Sequence, residues 1–309
     1  KEILLDEKII AKSCYGLKFS SDERKLYVSG GNDNIILVYP IVNKKIGKAD
    51  TLRIGNPWPK EKISPTGLDV DDASQKLYTV TKEDSSLYVI DLKTRKVIHK
   101  ISLGAEAYGC LLSLNKMELY ITLWGGDILS IYDVNNGKIT ASIPVESHPN
   151  ESICTKNGKY IFVANANDNS VSVIDTKKRK VTEVISATLF PTKLTGSTTN
   201  GLALSPDEKT LYIANADNNC IAVFNVSSPG KSISKGFIPT GWYPTSVRTT
   251  GSKILIANGK GFSSLPDPDG PQPIKAPDKN RKEQYIGNLF KGTLSFIDVP
   301  DIKKLRNYS

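Results

Sequence analysis

Ile161-Phe162-Val163-Ala164-Asn165, then Val171-Ser172-Val173-Ile174-Asp175, then Lys180-Val181-Thr182-Glu183-Val184-Ile185, form three short runs of β-branched and aromatic residues separated by polar turns. Such runs read as consecutive antiparallel strands, because branched and aromatic side chains suit a pleated surface and Asn, Asp and Gly suit the turns between. The first run recurs. Equivalent openings stand at Leu26-Tyr27-Val28, Leu77-Tyr78-Thr79, Leu119-Tyr120-Ile121, Leu211-Tyr212-Ile213 and Ile254-Leu255-Ile256, at steps of 42 to 51 residues. A repeat of that length, built only of short strands, predicts a propeller.

Two further markers hold the register. Fourteen residues after five of the openings the chain reaches Pro40, Asp91, Asp133, Asp175 and Asn225, each closing an alternating strand, whereas the sixth equivalent, Asp298, is delayed by 30 extra residues. Ten residues before the first five openings stand Gly16, Gly67, Gly109, Glu151 and Gly201, each expected to start a short strand such as Gly201-Leu202-Ala203-Leu204. Innermost strands crowd toward one another, so a residue without a side chain is expected there. The Asp is expected to turn the chain into a fourth strand, its carboxylate accepting a backbone N–H two residues on. The expectation is an all-β propeller of four-stranded antiparallel blades in one domain, residues 1–309, with an insertion at about 259–291 in the last blade. No segment keeps a helical apolar period beyond two turns.

Ile161-Phe162-Val163-Ala164-Asn165 and Leu211-Tyr212-Ile213-Ala214-Asn215, with the strands that follow, resemble the repeat of the YVTN β-propeller family, the surface-layer-protein-like propellers. Phe237-Ile238-Pro239-Thr240-Gly241-Trp242-Tyr243-Pro244-Thr245, Ala257-Asn258-Gly259-Lys260-Gly261, Tyr285-Ile286-Gly287 and Lys291-Gly292-Thr293 resemble the propeller half of bacterial proteins in which a phosphoesterase of the alkaline-phosphatase superfamily follows. The resemblance implies seven blades, export to the periplasm or cell surface, and a partner domain beyond this chain. Six hairpins are encoded, with a lone strand at Lys1-Glu2-Ile3-Leu4-Leu5. Either an upstream hairpin is missing, or that strand completes the last blade, whose outer strand otherwise falls on Asp301 to Ser309.

Composition narrows the function classes. Charged residues are 24% and the hydrophobic set 39%, the profile of a chain with a real core. No apolar run approaches the roughly 20 residues that cross a bilayer. A basic, apolar leader is absent at Lys1, so any signal peptide has been removed or was never present, and secretion stays open. Cys14, Cys110, Cys154 and Cys220 lack paired spacing and read as buried thiols, without disulfide or metal. The net charge of +9 favours anionic partners. Its lysines, however, fall in third-to-fourth strand turns (Lys44, Lys45 and Lys48; Lys93, Arg95 and Lys96; Lys177, Lys178, Arg179 and Lys180), which reads as a solvated rim without a nucleic-acid platform.

The candidate site lies on the other face. Trp58 and Trp242 fall in blade-to-blade connections and Trp124 in a second-to-third loop, and with His148, Asn150, Glu151, Tyr243 and Lys260 they form the expected ligand-binding set at the channel mouth. Aromatic loops also pack structurally, and the Asn-rich turns Asn165–Asn169 and Asn215–Asn219 read as turn chemistry. Asp267 and Asp269 alternate as in a calcium loop, but Pro268 and Pro271 break the ligand spacing. His99 is expected to be exposed, and one His beside one Glu makes no metal site. No nucleophile elbow, haem-attachment or phosphate-loop motif is present. The expectation is therefore a non-catalytic, monomeric binding module without cofactor, taking a ligand or partner domain. The alternatives are a lactonase-like hydrolase drawing on His148, Glu151 and Arg248, an accessory domain of a phosphoesterase, and a haem-holding redox propeller.

Overall fold

A computed structural model of the chain describes residues 15–190, 195–263, 266–267, 270 and 286–309. Among the described residues the fold is a β-propeller with six antiparallel blades. The first contains β1 (Leu17–Phe19), β2 (Lys25–Ser29), β3 (Ile35–Val42), a two-residue β4 (Lys45–Ile46) and β5 (Asp50–Arg53), both β4 and β5 pairing with β3. The second runs β6 (Pro65–Asp71), β7 (Lys76–Thr81), β8 (Ser86–Asp91), β9 (Lys96–Ser102), and the third β10 (Gly109–Leu112), β11 (Glu118–Leu123), β12 (Ile128–Asp133), β13 (Lys138–Pro144). The fourth is β14 (Pro149–Cys154), β15 (Tyr160–Asn165), β16 (Ser170–Asp175), β17 (Lys180–Ser186). The fifth is β18 (Thr199–Leu204), β19 (Thr210–Asn215), β20 (Cys220–Asn225), β21 (Ile233–Pro239), and the sixth β22 (Trp242–Thr250), β23 (Lys253–Gly261), β24 (Thr293–Asp298).

Two compact units share these blades, Lys1–Ala166 with Ser172–Val184, and Asn167–Val171 with Ile185–Ser309. In the first unit, Tyr27 and Ile36 meet Leu68, Val70 and Leu77 of the next sheet. Tyr78, Val80 and Val89 meet Leu119, Ile121 and Leu123, and Tyr120, Leu129 and Ile131 meet Ile161 and Val163. In the second, Tyr212, Ile221 and Val223 meet Val247, Ile254 and Ile256. Second strands are buried on both faces, as β7, β11, β15 and β19 show. That is why each opening reads as a continuous apolar run. Outer strands such as β13 face a neighbour on one side only and alternate in exposure.

The glycine positions are close approaches. A methyl at Gly67 would stand 2.4 Å from Gly109 Cα, at Gly16 2.1 Å from the Thr66 carbonyl, and at Gly201 2.9 Å from Ser246 Cα. Gly109 is looser, with nothing nearer than 3.4 Å. The Asp turns form, but the expected N–H two residues on is taken only at Asp133, the others taking one three residues on. Asp133 accepts N–H bonds from Asn135 and Asn136, Asp91 from Thr94, and Asp175 from Lys178.

Three expectations need correction. Asp301 to Ser309 makes no outer strand: Ile302–Tyr308 is helix α1, N-capped by the Asp301 carboxylate on the Lys304 N–H at 2.7 Å. Leu305 is buried with Ile238 and Val247, and Ser309 Oγ accepts the Phe237 N–H, so the segment packs on β21 instead of extending β24. Trp242 is the first residue of β22, paired with Gly261, and not a connection residue. Cys110 and Cys154 are half-buried free thiols, while Cys220 is a buried one. Cys14, Asp269 and the Lys1–Leu5 strand lie outside the described residues.

Candidate functional site

A repeated device shapes the loop face of each unit. The last residue of the second-to-third loop is left-handed in five blades, at Asn34, Ser85, Asp127, Asn169 and Asn219, and its carbonyl accepts an N–H from the outgoing connection. At four of these the side-chain oxygen also reaches the residue that enters the next blade. Asn34 takes the Ser64 N–H, Asp127 that of His148, Asn169 that of Thr198, and Asn219 that of Tyr243. The receiving residues Ser64, His148, Thr198 and Tyr243 are left-handed as well. Behind each the inner strand opens on a bulge, between Pro65 and Leu68, Pro149 and Ser152, Thr199 and Gly201, and Trp242 and Ser246. Bulges re-aim side chains, and two of these four contain the residue that precedes a marker glycine, Thr66 and Asn200.

The first unit holds a cavity of about 270 Å³ lined by Tyr15, Thr66, Lys82, Glu106, Ala107, Tyr108 and Trp124. Tyr15 and Tyr108 pack with ring centroids 4.3 Å apart at 47°. Trp124 is 36% exposed, and His148 meets it edge-on at 4.2 Å and 84°. The imidazole is held by Ser147 Oγ at 2.7 Å from Nδ1, and the His148 backbone N–H donates to the Asp127 carboxylate. His148 therefore orients the indole. Thr66 Oγ1 is engaged by the carbonyls of Val80 and Ala107, leaving a largely apolar wall. Among the described residues, Glu106 and Lys82 have no side-chain partner.

The other candidates separate. Asn150 and Glu151 are 3% and 7% exposed, the Asn150 side-chain oxygen accepting the Glu151 N–H at 2.7 Å and its carbonyl accepting Thr122 Oγ1 at 2.8 Å. Trp58 stands in its connection under Lys62, whose Nζ lies 4.9 Å from the ring centroid. Trp242, Tyr243 and Lys260 group in the second unit. Lys260 Nζ sits 4.2 Å from the Tyr243 ring and 5.9 Å from the Phe290 ring, and Trp242, Lys260, Phe262 and Phe290 line a cavity of about 570 Å³ there. Arg248 donates to the carbonyls of Val247 and Leu202.

Sequence reading missed Tyr15, Thr66, Lys82, Glu106 and Tyr108. A signal was present: Tyr15, Thr66 and Tyr108 each immediately precede a marker glycine.

Elsewhere, titratable groups are held away from reaction. Burial pushes the Cys110 thiol well up and the Cys220 thiol to about 11, so neither is a thiolate at neutral pH. Burial, with a hydrogen bond to Asp84, raises the Tyr88 phenol to about 12. Among the described residues no three His, Cys, Asp or Glu side chains converge as a metal site, and no helix is long and apolar enough to cross a membrane. The turn-face cations are partly paired, Arg95 with Asp50 and Arg179 with Glu118, each at 2.6 Å.

A propeller with an aromatic-lined loop face is the class these observations define. Residues 61–216 match the family described as Domain of unknown function (DUF5074), and the chain belongs to that family. Over 201 residues it is 29% identical to the uncharacterized protein YncE of Salmonella typhi, covering 61% of this chain and 50% of the relative. Over 200 residues it is 26% identical to Antigen Lp49 of Leptospira interrogans, covering 62% of this chain and 40% of that protein. The matches thus span half or less of these relatives. In structure it is similar to a Lactobacillus plantarum protein, with a TM-score of 0.67, 18% identity and 80% and 77% of the two chains covered. A proposed 6-phosphogluconolactonase from Bacteroides fragilis gives 0.66, 17%, and 78% and 76%. At such identities the likeness concerns the fold.

Proposed function

We propose that the chain is a non-catalytic propeller module of an exported protein, and that it takes its ligand in the cavity walled by Tyr15, Tyr108 and Trp124. The observation that carries this reading is the support given to Trp124. A half-exposed indole at a cavity mouth, held edge-on by a histidine that is itself tied to Ser147 and Asp127, is a preorganised contact surface. Export is supported by the YVTN-like repeats at Ile161–Asn165 and Leu211–Asn215 and by a relative named as an antigen. The resemblance of residues 237–245 to propeller–phosphoesterase proteins supports a phosphoesterase domain as the partner within a longer polypeptide.

Thermal-shift screening of the purified chain against zwitterions, sugars, nucleotides and acidic peptides tests the reading. At least one class should stabilise the wild type and lose its effect in Trp124→Ala, and the absence of any Trp124-dependent ligand would contradict it. Lactone hydrolysis by the wild type that disappears in His148→Ala would replace it with a hydrolase.

A further inference from the structure

Resting on that reading, we infer that the first-unit cavity binds a small zwitterion, with an alkylated ammonium group against the aromatic rings and an anionic group toward Lys82. Tyr15, Tyr108 and Trp124 line one cavity, and an ammonium cation is drawn to the negative face of an aromatic π-system. Glu106 adds a carboxylate to the same wall, and among the described residues it has no cationic partner. A cation there gains both attractions. Lys82, exposed and likewise unpaired, lines the cavity too and would repel a simple cation. A ligand that carries its own anion meets both charges.

The alternative occupant of aromatic sites, a sugar, fits poorly. Its hydroxyls need several hydrogen-bonding partners, and an unmatched hydroxyl in an apolar site is costly. The wall is mostly carbon, and the Thr66 hydroxyl is already engaged by two carbonyls. Methylated nitrogen needs no donors or acceptors. A cavity of about 270 Å³ suits a molecule the size of trimethylglycine or somewhat larger.

Calorimetric titration of the full chain with glycine betaine, choline and glucose tests the assignment. Glycine betaine should bind, and Trp124→Ala and Glu106→Gln should each weaken it about tenfold, the usual scale of losing a cation–π or charge contact. Lys82→Met should weaken glycine betaine while leaving or improving choline. Glu106→Gln keeps the side chain's shape at a half-exposed position, so it reports on charge even if the Trp124 variant folds poorly. No heat with glycine betaine at millimolar concentration, or binding indifferent to both Trp124→Ala and Glu106→Gln, overturns the inference. If glucose binds in a Trp124-dependent manner and glycine betaine does not, the ligand class is wrong and the binding-module reading stands.

Discussion

Gly67 shows how tightly single residues are specified where inner strands meet. A methyl there would lie 2.4 Å from Gly109 Cα and 2.8 Å from the Tyr108 carbonyl, both backbone atoms that cannot rotate away. Gly67→Ala should cost about 1–3 kcal/mol, the scale of overpacking. Gly109→Ala, whose nearest neighbours are at 3.4 Å and 3.5 Å, should change the thermal midpoint little, and melting curves of the two variants distinguish them. Asp69 makes the opposite demand. Its buried carboxylate takes the N–H groups of Val70 and Leu112 and the Lys18 ammonium at 3.0 Å, joining three blades. Asp69→Ala should cost about 2 kcal/mol in denaturant unfolding, chiefly from donors left unmatched, since Lys18 is partly solvated. The marker glycines were legible because crowding leaves only one residue type. The place before each glycine was legible too, but not its role, since Tyr15, Thr66 and Tyr108 differ in chemistry.

Strands and turns carry the next level. The apolar openings were readable because burial on both faces removes polar alternation, and the Asp turns because the carboxylate has a fixed local target. Backbone N–H bonds hold the Asp91, Asp133 and Asp175 carboxyls below their ordinary value of 3.8. A depressed folded-state value means the stabilisation is fully present above about pH 4 and is lost as pH falls through the folded-state values. The denaturant midpoint should therefore drop in acid, and the triple Asp→Asn variant, which keeps an accepting oxygen, should show a flatter profile below pH 4. Asn169 combines a left-handed backbone with bonds from the Ser197 and Thr198 N–H groups. Asn169→Ala should lose more stability than Asn169→Gly, because glycine keeps the conformation at no steric cost. The helix at residues 302–308 escaped notice because it is short and the repeat predicts a strand there; its Asp301 cap and buried Leu305 decided otherwise.

For the molecule as a whole, the two faces of the blades have different work. The turn face carries much of the positive charge, and Arg95–Asp50 and Arg179–Glu118 tie neighbouring blades of the first unit there. The loop connections gather aromatic residues within each unit, Trp124 with Tyr15 and Tyr108 in the first and Trp242 with Phe262 and Phe290 in the second. The left-handed residues and bulges of the connections leave no periodic trace, so the local geometry around each unit's aromatic residues was not legible in the sequence. The most direct measurement is hydrogen-exchange footprinting of the full chain with and without saturating glycine betaine. Slower exchange confined to the segments that line the cavity, around residues 15–16, 66, 82, 104–109 and 123–127, is the predicted result. Protection at the turns around residues 93–96 and 177–180, or no protection anywhere, would contradict the account.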